Sequence, residues 1–547
     1  MVAAAALSFL PLFPASPSSH AAALAASSSS LLRRCYPFVC SHANAASLPR
    51  RPPAFPSSHR LRHHRYASSI GRSRKMGNQK AQCAPPRFGS LAMALGPLHA
   101  QVDGGRGVAG LDSLGNFWRW LEEKGVKAPA VRPAAVPEGL GLVAQRDIAR
   151  SEVVLEVPQR LWINPDAAAA DPELGRLFSG LKPWVSVALF LITEKSRGLK
   201  SPWKPYLDIL PASTDSPLFW SEEELSELQG SQLLSTIFGV QEFLRSEFLK
   251  VEEDLVLPHK YLFPSPVTME DFVWAFGILR SRAFSRLQGE NLVLIPLADL
   301  INHSPKITSE DSAWEIKGKG LFSREQVFTL RAAVPVKAGE QVCIQYDLGK
   351  SNAELALDYG FIEKTSARDS YTLTLEIASS DEFYDDKLDI AECNGLGESA
   401  YFDIYLDSTL PPMILPYLRL IALGGTDVFL LEALFRNTVW GHLELPVSRQ
   451  NEELICRVVR DACKSALSAY QTTIEEDEKL RDAENLDPRL EVAVWIREGE
   501  KKVLQKIDKI FQERELELDT LEYYQERRLK DLGLVGEQGE IIFWESN

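Results

Sequence analysis

Acidic residues are missing from the start of the chain. The first 102 of its 547 residues hold no aspartate or glutamate, although they carry 12 lysine or arginine residues. Residues 1–100 are instead rich in alanine, serine, proline, arginine and histidine, a composition typical of an organelle transit peptide. A secretory signal is the alternative, but Pro11 and Pro14 interrupt the apolar run 3–13 and no basic segment precedes it. The serine-rich run 27–58 forms no clear amphipathic arginine helix, which favours a plastid over a mitochondrion.

Cysteine, histidine and long apolar runs are also scarce. Only three of the nine histidines lie beyond His99, and the seven cysteines include no CxxC pair. Four cysteines are spread through the body of the chain: Cys343, Cys393, Cys456 and Cys463. This spacing predicts neither a metal site nor a disulfide framework. No run beyond residue 100 approaches the roughly 20 apolar residues of a membrane-spanning helix, so we predict no membrane span.

The body of the chain is acidic. From Asp103 onward it carries 48 basic and 74 acidic residues, a formal net charge of -26. Such a surface repels a phosphate backbone and argues against a nucleic-acid-binding protein. It is compatible with a basic substrate such as a lysine-bearing peptide.

Hydrophobic patterning predicts strands on both sides of a helical stretch. Alternating and apolar runs predict five strands at residues 142–147, 153–157, 292–295, 327–330 and 341–346. Between them, residues 183–287 follow a helical period, with capping boxes at Ser221 with Glu224 and Thr268 with Asp271. Beyond about residue 370 the pattern is mostly helical, and two amphipathic helices begin near Leu454 and Val503. A sheet interrupted by a helical insertion, then a separate helical unit, is the predicted organisation.

A glycine-rich segment matches the residue pattern of a dinucleotide-binding motif but lacks its structural context. Residues 139–144 match G-x-G-x-x-A, but that fingerprint needs a strand before it and a helix after it. Here Pro133 and Pro137 precede the glycines and a second extended segment follows them. We therefore predict a turn at residues 138–141 whose backbone approaches another nucleoside-like ligand. A nicotinamide oxidoreductase remains a distant alternative.

Two further segments carry polar or aromatic groups. Asn302, His303 and Ser304 follow an apolar strand; adjacent Ser and His do not form a catalytic pair, and no G-x-S-x-G elbow is present. Farther on, a capping box of Ser351 with Glu354 begins a short helix that Gly360 can end in a left-handed turn. Tyr346 and Tyr359 flank this helix. Taken singly, such histidines and tyrosines are more often structural than catalytic.

Taken together and in this order, the three segments resemble the SET-domain lysine methyltransferases. In that fold the Asn-His-Ser segment is threaded under the loop that ends in Tyr-Gly-Phe, which forms a pseudoknot of small sheets. The chain is similar in particular to the plant Rubisco large-subunit methyltransferases over residues 112–534. Five runs carry this resemblance: residues 162–165, 276–286, 299–304, 350–363 and 523–534.

The resemblance implies an α+β fold and a domain plan. Residues 1–100 would be a chloroplast transit peptide and linker. Residues 101–370 would form a SET-domain β-fold with a pseudoknot and a helical insertion near 165–290, followed by an all-α substrate-binding domain at 371–547. It also implies S-adenosyl-L-methionine as the cofactor and no metal. The implied cofactor-binding residues are Glu138, Gly139, Leu140, Asn302 and His303, largely through backbone groups, with Arg282 for the carboxylate and Phe361 nearby.

The resemblance also implies a lysine channel and a substrate class. Tyr346 and Tyr359 would line the channel, Tyr359 being the preferred catalytic hydroxyl. The other implied substrate-binding residues are Ser281, Phe284, Arg286, Asp299 and Trp314. The family acts on lysines in tails of two proteins of the chloroplast stroma, fructose-bisphosphate aldolase and the Rubisco large subunit. Ser312 occupies the position at which Rubisco-active members of the family carry a histidine, which favours aldolase as the substrate. The alternative function is a catalytically silent adaptor protein with the SET fold. The oligomeric state stays open.

Overall fold

The computed structural model describes residues 111–284, 292–308, 314–318, 325–436, 438–483 and 485–535. The strands in these ranges are β1 (Val131–Val136), β2 (Gly139–Ala144), β3 (Val153–Pro158), β4 (Asn302–His303), β5 (Trp314–Lys317), β6 (Val327–Arg331), β7 (Gln341–Ile344), β8 (Ser370–Glu376) and β9 (Ser399–Tyr405). The α-helices are α1 (Leu111–Glu123), α2 (Pro165–Ala169), α3 (Gly175–Phe178), α4 (Pro183–Arg197), α5 (Lys204–Leu207), α6 (Glu222–Ser226), α7 (Gln232–Val251), α8 (Met269–Arg282), α9 (Asn352–Tyr359), α10 (Tyr384–Cys393), α11 (Ile414–Ile421), α12 (Val439–Leu443), α13 (Arg449–Leu467), α14 (Ile474–Arg481), α15 (Pro488–Leu516) and α16 (Tyr524–Asp531).

The glycine-rich segment is one arm of a hairpin. Strand β1 pairs antiparallel with β2 in a register that matches Val136 with Gly139, which leaves Pro137 and Glu138 as a two-residue turn. Gly139 has a φ of +112°, a conformation that L side chains rarely adopt. A strand therefore does precede the glycines, and the expectation drawn from Pro133 and Pro137 was wrong. Because another strand and no helix follows, the dinucleotide fold is still excluded.

The hairpin belongs to one of two small sheets. One has the strand order β1-β2-β7-β4, and the other has the order β3-β6-β5. Strand β4 runs parallel to β7, with Asn302 beside Cys343 and His303 beside Ile344, although about 40 residues separate them in sequence. Residues 292–295 form isolated bridges at Val293 and Leu294 rather than the predicted strand. The other predicted strands are present within two or three residues of their expected ends.

The helical insertion packs against these sheets through aromatic side chains. The Trp184 ring of α4 lies 5.3 Å from Phe272, 5.5 Å from Phe276 and 5.8 Å from Phe243, centroid to centroid. Both predicted capping boxes form, at the N-termini of α6 and α8. The insertion and the sheets share one hydrophobic cluster, the first core, and α8 extends from it to the site.

The C-terminal unit is helical, as predicted, and has a second hydrophobic core. It also contains the antiparallel ribbon β8–β9, which the sequence analysis did not predict. Helix α15 joins the two units: Ala493 and Ile496 pack into the first core, whereas Leu504 and Phe511 pack into the second. It ends at Leu516, earlier than its apolar pattern indicated.

Within the described ranges, no single helix is long and apolar enough to cross a membrane. Helix α11 and the 3-10 helix Gly425–Leu431 are long and apolar enough only when taken together, and the pair is bent by 116° between them. Both contribute side chains to the second core.

Candidate active site

The glycine hairpin and the Asn302 strand are joined by side-chain hydrogen bonds. Asn302 donates from Nδ2 to the backbone oxygen of Leu140 (3.2 Å) and to Oε1 of Gln341 (3.0 Å). Gln341 donates in turn from Nε2 to Oε2 of Glu138 (2.9 Å). A Cβ at Gly141 would lie 2.7 Å from the Gln341 oxygen and 2.9 Å from Asn302 Nδ2. Glycine therefore permits the approach that brings two predicted cofactor-binding segments together.

His303 lies in the middle of an aromatic cluster. Its ring stacks on Phe361 at 5.1 Å and lies 5.4 Å from the ring of Tyr346. Its Nε2 is 2.9 Å from Oε1 of Glu363, and the backbone N–H of Tyr346 donates to its Nδ1 (3.3 Å). Burial lowers the pKa of His303 below its usual value, and the attraction of Glu363 only partly offsets this effect. The imidazole is therefore neutral near pH 7.

The two predicted channel tyrosines are in contact. The rings of Tyr346 and Tyr359 are 4.8 Å apart, and Tyr359 stacks on Phe361 at 5.8 Å. The Tyr346 hydroxyl donates to the backbone oxygen of Ile301 (2.8 Å), and burial raises its pKa. The capping box of α9 forms at Ser351, as predicted, and Gly360 ends the helix in the left-handed region with a φ of +81°.

Arg282, at the last residue of α8, is fixed by a buried carboxylate. Its Nη1 donates to the backbone oxygen of Asp299 (3.1 Å) and lies 3.4 Å from the Asp299 Oδ2. The hydroxyl of Tyr206 donates to the same carboxylate (2.8 Å). Burial raises the pKa of Asp299, and the positive charge of Arg282 opposes this shift. The Asp299 side chain has no exposed surface and holds Arg282 in place; its predicted contact with the substrate stays a prediction.

The remaining predicted substrate residues lie near the end of α8. The ring of Phe284 is 5.8 Å from that of Trp314 and 5.2 Å from that of Phe328. The Ser281 hydroxyl donates to the backbone oxygen of Gly277 (2.8 Å). Arg286 and the channel-side Ser312 lie outside the described residues.

Three residues of the site were missed by the sequence analysis: Tyr206, Gln341 and Glu363. Tyr206 is 93 positions from its partner Asp299, and Gln341 is 39 positions from Asn302. No local spacing could have paired them. Glu363 did carry a signal, because a carboxylate just after the Tyr-Gly-Phe run is available to a neighbouring histidine.

The donor groups of the site suit S-adenosyl-L-methionine. The Arg282 guanidinium would pair with its carboxylate, and the flat rings of His303 and Phe361 offer an apolar surface to a purine. The close approach at Gly141 shows that the hairpin and the Asn302 strand form one surface for backbone contacts. Among the described residues, no group of three or more histidine, cysteine, aspartate or glutamate side chains is placed to hold a metal ion.

Two protein families match separate parts of the chain. Residues 139–347 match the SET domain family. Residues 378–504 match the family described as Rubisco LSMT substrate-binding. The first range contains strand β2 of the hairpin, the Asn302 strand and Tyr346, and the second lies in the helical unit.

Characterised relatives cover most of the chain. It is 68% identical over 437 residues to the chloroplastic [fructose-bisphosphate aldolase]-lysine N-methyltransferase of Arabidopsis thaliana, covering 80% of this chain and 90% of that protein. It is 66% identical over 433 residues to the chloroplastic ribulose-1,5 bisphosphate carboxylase/oxygenase large subunit N-methyltransferase of Nicotiana tabacum, covering 78% and 88%.

A solved structure shares both fold and sequence. The crystal structure of the SET domain of LSMT bound to lysine and AdoHcy is 63% identical, has a TM-score of 0.75, and covers 78% of this chain and 97% of that one. AdoHcy is what S-adenosyl-L-methionine becomes when it gives up its methyl group. These likenesses confirm the predicted fold and cofactor. The chain therefore belongs to the chloroplast SET-domain protein-lysine N-methyltransferases, the family that includes the Rubisco large-subunit enzymes.

Proposed function

We propose that the chain methylates a lysine in a flexible terminal tail of a protein of the chloroplast stroma, with fructose-bisphosphate aldolase as its main substrate. The observation that carries the chemistry is the contact of Tyr346, Tyr359, His303 and Phe361 beside Asn302. These are the predicted channel and cofactor residues. A tail suits such a channel because an extended segment can enter without unfolding a domain.

Methyl transfer to an amine is an in-line displacement, so the enzyme must align the groups and exclude water. The bound cofactor supplies an electrophilic methyl group. Asn302 and Leu140 hold the surface against which it would lie, and Arg282 would fix its carboxylate end.

A free lysine has a pKa of about 10.4 and must lose its proton before it attacks. The aromatic rings of Tyr346 and Tyr359 form a poorly hydrated wall, which favours the neutral amine. Because the Tyr346 proton is donated to Ile301, its oxygen lone pairs remain available to accept a hydrogen bond from the amine. Tyr359 is proposed as the hydroxyl that acts in the transition state.

The preference for aldolase rests on the segment beside the channel. Ser312 replaces the histidine expected in Rubisco-active members, and a serine cannot provide an imidazole contact to a large structured partner. Trp314, where a tyrosine is expected, packs against Phe284. The relatives named for aldolase and for Rubisco are 68% and 66% identical, so overall similarity does not separate the two substrates.

The test incubates the protein and methyl-labelled cofactor with purified aldolase or Rubisco. Strong labelling of aldolase and weak labelling of Rubisco is expected. The double variant Tyr346→Phe with Tyr359→Phe controls for labelling by other enzymes. Strong labelling of Rubisco with none of aldolase would overturn the preference, and a Ser312→His variant tests whether that position determines it.

A further inference from the structure

The hydrogen-bond partners of His303 require one protonation form of its ring. The backbone N–H of Tyr346 can only donate, so the Nδ1 that it contacts at 3.3 Å must carry no proton. Since His303 is neutral, its single ring proton is on Nε2. That nitrogen lies 2.9 Å from a Glu363 carboxylate oxygen, to which it donates.

Glu363 is itself held by α9 and by the segment that follows Tyr359. Its backbone N–H donates to Oδ1 of Asn352 (2.9 Å), and its Oε1 lies 2.7 Å from Nη2 of Arg368. Arg368 also donates from Nη1 to the backbone oxygens of Asp347 (3.0 Å) and Lys350 (2.6 Å). The side chains of His303 and Glu363 are 6% and 9% exposed, so water does not substitute for this carboxylate.

We infer that Glu363 is a positioning residue for methyl transfer. Its carboxylate holds the ring proton of His303 on Nε2, which leaves Nδ1 free to accept from the Tyr346 backbone. Through this bond Glu363 fixes the main chain of Tyr346, and with it the channel wall that Tyr346 forms with Tyr359. The inference rests on the proposed function, since it concerns the same site.

The test compares Glu363→Gln with Glu363→Leu in the full chain. Glutamine keeps an oxygen that can accept from both His303 and Arg368, whereas leucine has the same approximate shape and no acceptor. Glu363→Leu is expected to lower kcat by about tenfold or more, with a smaller change in KM, because the site is misaligned rather than closed. Glu363→Gln is expected to retain most of kcat. Glu354→Leu, which breaks the capping box of α9, controls for a purely structural loss.

The position of the His303 ring proton can be measured without an activity assay. Nitrogen NMR of the 15N-histidine-labelled chain, with His303 assigned from a His303→Asn variant, is expected to show protonated Nε2 and bare Nδ1 in wild type and Glu363→Gln. A wild-type His303 with its proton on Nδ1 overturns the inference, even where Glu363→Leu fails to fold. Equal kcat values for the Leu variant and wild type also overturn it. If neither aldolase nor Rubisco is labelled, the proposed substrates are refuted. The NMR measurement of the His303 ring proton still tests the inference in that case.

Discussion

Tyr346 is held at both ends by hydrogen bonds. Its backbone N–H donates to His303, and its hydroxyl donates to the Ile301 oxygen 45 positions earlier in the chain. Arg282 is held in a similar way by Asp299, which is held in turn by Tyr206. Groups fixed in this manner lose little freedom when the reacting groups align, which lowers the barrier to transfer.

Tyr359→Phe is expected to lower kcat by about a hundredfold, since a group acting in the transition state is lost. Cofactor affinity, measured by calorimetry, should change little. Tyr346→Phe is the matched comparison, because it removes the other channel hydroxyl. Near-normal turnover of Tyr359→Phe would contradict the assigned role, and a larger loss in Tyr346→Phe would transfer that role to Tyr346.

Arg282→Ala is expected to raise the cofactor Kd by about tenfold or more, because a charge-assisted bond to a carboxylate is lost. Arg282→Lys keeps the positive charge but not the bidentate geometry of the guanidinium. Its Kd for the cofactor should lie between those of Arg282→Ala and wild type. Calorimetric titration with S-adenosyl-L-methionine measures both. An unchanged Kd with lost activity would assign Arg282 to the substrate side.

At the scale of elements, the short helix α9 is seated on the helical insertion. The Ser216 hydroxyl donates to the backbone oxygen of Leu357 (2.6 Å), and the C-terminal Gly360 lies against Asp215. A Cβ at Gly360 would lie 2.4 Å from the Asp215 carbonyl carbon. The insertion thus sets the positions of Tyr359 and Phe361, on either side of this glycine, against Tyr346 and His303.

Gly360→Ala is expected to cost more stability than Gly339→Ala. Both glycines have positive φ values, +81° and +85°, but a Cβ at Gly339 meets nothing within 4 Å. The shared backbone strain costs about 1–2 kcal/mol, and the clash with Asp215 should add about 1–3 kcal/mol at Gly360 alone. Chemical denaturation measures the difference. Equal losses in the two variants would show that Asp215 moves away without cost.

At the scale of the whole molecule, α15 connects the helical unit to the SET unit through buried charged groups. Glu500 accepts from the Tyr470 hydroxyl (2.6 Å), the Ser231 hydroxyl (3.2 Å) and the backbone N–H of Gln232 (3.2 Å). Arg497 pairs with Asp477 at 2.8 Å. The bonds of Ser231 and Gln232 join the start of α7, in the insertion, to the C-terminal unit and fix the two units relative to each other.

Burial raises the pKa of Glu500 to about 7, although its hydrogen bonds oppose the shift. The folded chain thus binds this proton more tightly than the unfolded chain. The resulting stability is fully present below about pH 4.5 and is lost as the pH rises through about 7, a loss of about 3 kcal/mol. Glu500→Gln should remove this part of the pH dependence in denaturation from pH 4.5 to 8.

Glu513→Gln, an exposed change on the same helix, controls for the loss of one carboxylate. The pH dependence of the free energy of unfolding should be the same for wild type and Glu513→Gln. For Glu500→Gln it should be flatter. If all three coincide, the Glu500 carboxylate is ionised in the folded chain across this range.

The sequence by itself determined the local features and, through its resemblance, the family. Capping boxes at Ser221, Thr268 and Ser351 were predicted because each is a bond between residues three apart. Gly360 was predicted as a helix end because only glycine enters the left-handed region at little cost. Strands β2, β3, β6 and β7 followed from their alternating and apolar side chains, whereas β1, β4 and β5 did not.

Only the tertiary structure decided which distant groups meet. Asp299 finds Tyr206 in the insertion, β4 lies beside β7, and α15 reaches both cores. The β8–β9 ribbon was missed although each strand alternates buried and partly exposed residues, as in Ala400, Phe402 and Ile404. The region was interpreted as mostly helical, and the pairing of the two strands across α10 depends on the tertiary structure. Hydrogen bonds and packing depend on distance in space, and a single sequence specifies that distance only for residues within a turn or two of each other.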